Sequence, residues 1–205
     1  MRPKRENISS SSLMLMGVPK KFCKYSIEDF EAETSTLKKV KNLVEDFIQN
    51  VNDSFEEGQG FCFMGANGVG KSMLACIILK EFYRNRYSCQ RVTFSQYISA
   101  YTEGWGANKD ERDLAEQEVY EKYKAVEFLV LEEIGKEIDS KIAKPILEDL
   151  LRYREEKGFV TVICTNLTPE NLREMYGPSV CSLINGSMTS VLITSEDRRR
   201  KNVTR

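Results

Sequence analysis

Eight consecutive residues, Gly65-Ala66-Asn67-Gly68-Val69-Gly70-Lys71-Ser72, fit the pattern GxxxxGK[ST] without a mismatch. The glycines let backbone amides turn inward and approach anionic oxygens closely. A helix beginning at the end of the run adds partial positive charge at its N-terminus. On this chemistry the run would cradle the phosphates of a nucleotide, with the Lys71 ammonium bridging the β- and γ-phosphates and the Ser72 hydroxyl ligating Mg²⁺. The run predicts nucleotide binding and leaves open which reaction follows.

A second group with chemical potential is Leu129-Val130-Leu131-Glu132-Glu133, an apolar strand ending in two carboxylates. In open parallel sheets, ligands bind at the C-terminal ends of the strands. There Glu132 would hold Mg²⁺, directly or through water, and Glu133 would orient the attacking water. Phosphoryl transfer needs mainly positioning and charge neutralisation, so these few groups suffice. The metal-holding position is commonly Asp, and Glu132 is one methylene longer. A third strand, Thr161 to Thr165, ends at Asn166, which would reach the γ-phosphate or the water, or else simply form the turn before Pro169.

The surrounding pattern supplies the elements that must position these groups. Phe61 to Met64 reads as a short buried strand and Ser72 to Tyr83 as a helix. Arg91 to Phe94 reads as a strand, 110–124 as a charged helix, and Phe128 to Leu131 as a strand. An amphipathic helix over 139–156 carries Pro145, and Phe159 to Cys164 forms the next strand. A short helix starts at Pro169, and Val191 to Ile193 closes the series. Upstream, Ser26 can cap a short turn, and Leu37, Val40, Val44 and Phe47 recur at helical spacing. Near-continuous apolar strands alternating with helices predict an α/β fold, a parallel sheet covered on both faces.

Composition sets limits. The 205 residues suit one domain and need neither metal nor disulfide to fold. The absence of histidine removes Ser-His-Asp and Cys-His catalysis. The six cysteines show no CxxC spacing and read as reduced, mostly core-filling thiols. No apolar run approaches the ~20 residues of a membrane span, and the expected location is cytoplasmic. The formal net charge is −1, distributed unevenly: residues 1–25 carry six Lys/Arg against one acid, and 190–205 carry five against two. Basic ends on an acidic body suit either phosphate backbones or solvated tails.

Taken together, these motifs and their order resemble the DnaC/IstB-type helicase-loader ATPases of the AAA+ class. The resemblance covers residues 17–200, with a disordered basic, Ser-rich tail expected over 1–16 and a basic tail over 201–205. Gly17 to Phe22 and Tyr25 to Phe30 look like the segment that lies near the adenine in that family. Glu132-Glu133-Ile134-Gly135 matches its Walker B ending and Thr165-Asn166-Leu167 its sensor 1 motif. Asp197-Arg198-Arg199 matches its C-terminal Asp-x-Arg element, which makes Arg199 the sensor 2 candidate. The resemblance implies a three-layer P-loop NTPase with a parallel, mostly five-stranded sheet. Its implied activity is that of an ATPase loading a replicative DNA helicase, with single-stranded DNA as a further partner.

Two departures accompany it. The family's arginine finger falls at Ser182, which implies slow hydrolysis unless Arg173, Arg152 or Arg154 substitutes, and puts self-association in doubt. Members also carry a longer N-terminal region that grips the helicase. With about 16 residues ahead of the resemblance here, contact is expected to use this tail, the core or another chain. Rival readings are a transposition helper on duplex DNA, a non-hydrolysing nucleotide-gated module, and a small-molecule kinase, for which no arginine-bearing lid is visible. Tyr97, Tyr101 and Trp105, at i, i+4 and i+8, read either as a base-stacking stripe or as core packing.

Overall fold

The helix–strand alternation is realised in a computed structural model that describes residues 4–5, 7–137 and 140–194. In chain order the elements are α1 (Ser10–Leu15), 3₁₀ turns at Lys20–Phe22 and Ile27–Asp29, α2 (Ser35–Gln49), α3 (Val51–Glu56), β1 (Gly60–Met64), α4 (Lys71–Arg84), β2 (Cys89–Thr93), α5 (Phe94–Thr102), α6 (Lys109–Val119) with a π turn at Tyr120–Lys124, β3 (Phe128–Ile134), α7 (Ser140–Glu156), β4 (Val160–Thr165), α8 (Pro169–Ser187) and β5 (Met188–Leu192).

Among the described residues the five strands form one sheet in the order β2-β3-β4-β1-β5, and every pairing is parallel. Successive side chains of a strand face opposite ways. Phe61, Phe63, Phe128, Val130, Val160 and Val162 therefore pack with α2 and α4. Cys62, Leu129, Leu131 and Ile163 pack with α5, α7 and α8. This is the expected three-layer P-loop arrangement. Burial on both faces is why the strands read as continuous apolar runs. All six cysteines are free thiols, and burial pushes Cys62 and Cys76 up to about 12, so they act as packing groups at neutral pH.

Several boundaries move for local reasons. The second strand ends at Thr93 rather than Phe94 because Thr93 and Gln96 form a capping box. The Thr93 hydroxyl accepts the Gln96 amide at 3.3 Å, while the Gln96 side chain accepts the Thr93 amide at 3.2 Å. The helix starting at Pro169 is short only in its first half. Gly177, at φ 82°, breaks α8, and Pro178 restarts it.

The N-terminal segment departs from the expected disordered tail. Ser9 caps α1 by accepting the Ser12 amide at 3.1 Å, and Leu13 and Met16 are buried in the α2/α4 core. The serine run supplies a helix start. Downstream, Lys80 of α4 donates to the carbonyls of Phe22, Cys23 and Tyr25, tying the segment to the core.

A buried cation braces the other face. Arg154 is 1% exposed. Its Nε donates to Thr161 Oγ1 at 2.8 Å, Nη2 to the Val160 carbonyl at 2.7 Å, and Nη1 to the Val126 carbonyl at 2.7 Å. Burial lowers the guanidinium to about 9, so it remains charged at neutral pH and is stabilised by these dipoles. Arg154 is thus a joint between α7, β4 and the β3 approach, and its burial removes it as a replacement arginine finger. Arg152 and Arg173 are exposed.

Strand β3 carries a bulge at its polar end. Glu132 pairs with Cys164 and Ile134 with Thr165, so two residues on β3 span one step on β4, and Glu133 is the extra one. Glu133 adopts φ 63°, a left-handed conformation unfavourable for a residue with a Cβ.

Two stability measurements follow. Arg154→Ala should destabilise the fold by ~3–5 kcal/mol, lowering the thermal midpoint by on the order of 10 °C. A loss below ~1 kcal/mol would show that the guanidinium braces nothing. In chemical denaturation, Glu133→Gly should be more stable than Glu133→Ala by about 1 kcal/mol, because glycine relieves the left-handed strain. The reverse order would contradict the bulge geometry.

Candidate nucleotide site

The loop Gly65–Ser72 joins the C-terminal end of β1 to the start of α4, the expected context. Gly65, Gly68 and Gly70 all have positive φ. A Cβ on Gly65 would lie 2.3 Å from the Ile193 carbonyl oxygen, so glycine is required there for steric as well as torsional reasons. The loop borders a cleft of about 990 Å³ at the C-terminal ends of the strands, a volume in the range of nucleotide-sized ligands.

The sheet order brings the predicted groups to this cleft. β4 lies beside β1 and β3 beside β4, so the polar C-terminal ends of both come up on the side of the loop. The Lys71 ammonium donates to the Gly65 and Ala66 carbonyls at 2.7 Å each and to Asn166 Oδ1 at 2.8 Å. Asn166 in turn donates to Asn67 Oδ1 at 2.9 Å. The Ser72 hydroxyl donates to Glu132 Oε2 at 3.1 Å. Glu132 points inward and is 4% exposed. Glu133, turned out by the bulge, faces the cleft rim, where Lys136 pairs with it at 2.9 Å. The two glutamates thus take different environments, one buried beside the helix start and one solvated at the rim. Below them, the Thr165 hydroxyl donates to the Ile134 carbonyl at 2.7 Å, locking the two strand ends together.

The donor set fits a magnesium nucleotide. Glycine-loop amides and Lys71 suit phosphate oxygens, and a hydroxyl beside a carboxylate suits a hard divalent cation. Pro19, Phe22 and Tyr25 also line the cleft.

Other expected residues fall elsewhere. Arg199 lies outside the described residues. Ser182 is exposed on α8. The aromatic stripe divides: Tyr97 is buried, while Trp105 is 56% exposed, so the three rings do not form one open stacking surface. Sequence reasoning missed Arg91. On β2, next to β3, its Nε donates to Glu132 Oε1 at 3.1 Å and its Nη2 to Oε2 at 2.7 Å. Burial alone would lower this guanidinium, but the bonds to Glu132 outweigh it and hold it above its usual value. The available signal was a lone charge in an otherwise half-apolar strand on the face toward α4.

Comparison with known proteins places this geometry in context. No family model matches the chain. It is 26% identical over 183 residues to the replicative helicase loader DnaC of Escherichia coli (strain K12), covering 89% of this chain and 70% of that protein. The crystal structure of the DnaC helicase loader superposes with a TM-score of 0.72 at 22% identity, covering 86% of this chain and all of that one. The crystal structure of DnaI superposes at 0.69 with 19% identity, covering 87% and 96%. Among the described residues, no helix is long and apolar enough to cross a membrane. In sequence the chain is similar to the DnaC helicase loaders, and its fold is that of their solved structures.

Proposed function

We propose that the chain is an ATP- and Mg²⁺-dependent switch that loads a replicative DNA helicase, engaging the helicase and single-stranded DNA in its ATP form and releasing them on hydrolysis. The observation carrying the nucleotide part is the convergence of Lys71, Ser72, Glu132 and Asn166 on one cleft, with Glu133 at its rim. The similarity to helicase loaders along most of the chain supports the partner.

Each residue has a distinct task in this reading. The loop amides and Lys71 bind the β- and γ-phosphates, Lys71 exchanging its contacts to the Gly65 and Ala66 carbonyls for phosphate oxygens. Ser72 and Glu132 hold Mg²⁺, which when bound neutralises charge on those oxygens. Asn166, linked to both Lys71 and Asn67, orients the γ-phosphate or the water. Glu133 polarises the water once it leaves Lys136. Arg199 is the candidate to sense the γ-phosphate. With Ser182 at the finger position, hydrolysis is slow unless Arg152 or Arg173 of a neighbouring copy supplies the missing charge.

The test uses two variants. Lys71→Ala should weaken binding of a fluorescent ATP analogue roughly 10–100-fold, the loss of a charge-assisted contact. Glu133→Gln should bind normally while turnover falls by roughly 10²–10⁴-fold. Tagged Glu133→Gln, recovered from native cells with ATP present, should retain a replicative helicase that ADP releases. Recovery of a transposase instead would move the protein to transposition, and phosphorylation of a nucleoside or nucleotide by the pure protein would identify a kinase. Turnover unchanged in Glu133→Gln would overturn its role as base.

A further inference from the structure

The carboxylate assigned to magnesium already has a cation. Arg91 grips both oxygens of Glu132, Nε on Oε1 at 3.1 Å and Nη2 on Oε2 at 2.7 Å, while the Ser72 hydroxyl also donates to Oε2. The two side chains are 14% and 5% exposed, so little water screens the pair. A carboxylate offers about four lone-pair directions, and three are used here, both of those on Oε2 among them.

The fork is also held from behind. Arg91 Nη1 donates to the Gly17 carbonyl at 2.9 Å, and the Arg91 amide donates to the Met16 carbonyl at 2.8 Å. Gly17 sits so close that a Cβ there would lie 2.3 Å from the Arg91 carbonyl oxygen, with its own φ at +81°. The packed N-terminal segment therefore fixes the backbone and one arm of Arg91, leaving the other arm and Nε aimed at Glu132. A planar guanidinium fixed in this way loses little freedom in gripping a carboxylate at two points. Register explains the meeting: Arg91 pairs with Val130, two residues before Glu132, and both charged side chains lie on the α4 face of the sheet.

We infer that Arg91 is a built-in counter-cation for Glu132 that competes with Mg²⁺, so that this site binds nucleotide with an unusually small dependence on the metal. The inference rests on the nucleotide-binding reading above. For Glu132 to ligate Mg²⁺ directly through Oε2, it must release either Ser72 or the fork. With Arg91 in place, the metal meets a carboxylate whose charge is already balanced. Without Arg91, a buried carboxylate is left uncompensated, and a divalent cation beside Ser72 becomes its best partner. Arg91 acts through Glu132 and is a positioning residue.

The experiment titrates a fluorescent ATP analogue against the full chain over a range of Mg²⁺ concentrations, including excess chelator. In Arg91→Met, which keeps the stem and removes the charge, the magnesium concentration giving half-maximal enhancement of nucleotide affinity should fall by roughly 10–100-fold, the strength of a charge-assisted grip. The ratio of affinities with and without metal should widen similarly. Arg91→Lys keeps a point charge without the two-point fork and should shift the curve in the same direction by less, which covers a failure of Arg91→Met to fold. In a Glu132→Gln background, Arg91→Met should leave the magnesium curve unmoved. Overlapping magnesium curves for wild type and the Arg91 variants, with nucleotide bound in each, would overturn the role of Arg91 alone. A folded wild-type chain that binds no nucleotide at any magnesium concentration would overturn the underlying reading as well.

Discussion

Both faces of the parallel sheet are covered by helices, and that burial pushes the charged side chains of β3 and the amide that follows β4 to the C-terminal ends of those strands. Phe128 to Leu131 and Val160 to Ile163 have no room for a charge. The first positions where a charged or amide side chain appears are Glu132, Glu133 and Asn166, and parallel pairing puts all of them at the same end. Because β1 lies beside β4 and its loop leaves from that same end, the phosphate loop meets them without any further device.

Within that constraint, small local features decide which group does what. One extra residue in β3 separates two adjacent glutamates into a buried partner for Ser72 and an exposed carboxylate at the rim. The left-handed backbone at Glu133 is strain placed where the chemistry is expected, as is common at functional sites. Lys71 spans loop and strand, bonding two loop carbonyls and Asn166 at once. A phosphate arriving between them has acceptors to replace and an amide to adjust, while the pocket itself is already formed.

Two arginines set apart structural from site charge. Arg154 is surrounded by carbonyls and the Thr161 hydroxyl and holds α7 to the sheet. Arg91 is a joint as well, but one end of its joint is Glu132, the carboxylate proposed to hold Mg²⁺. Through it, the packed N-terminal segment is in mechanical contact with the nucleotide site, because Gly17 and Glu132 share the same guanidinium.

The residue order by itself determined the layered α/β architecture, the phosphate loop, the carboxylate pair and Asn166, because glycine spacing and runs of buried side chains are local signals. It also determined the likeness to helicase loaders, since the motifs recur in the same order. The packing of residues 8–16 was not legible: a serine-rich run has no apolar period, and only contact with α2 and α4 gives Leu13 and Met16 a place to bury. Nor was the difference between Arg91, which carried no assigned role, and Arg154, which read as a possible substitute for the arginine finger. Their roles depend on neighbours 41 and 7 residues away in the chain, Glu132 and Thr161. Tertiary structure alone decided these because ion pairing and desolvation depend on distance in space, which the strand order β2-β3-β4-β1-β5 sets and the spacing of residues along the chain does not.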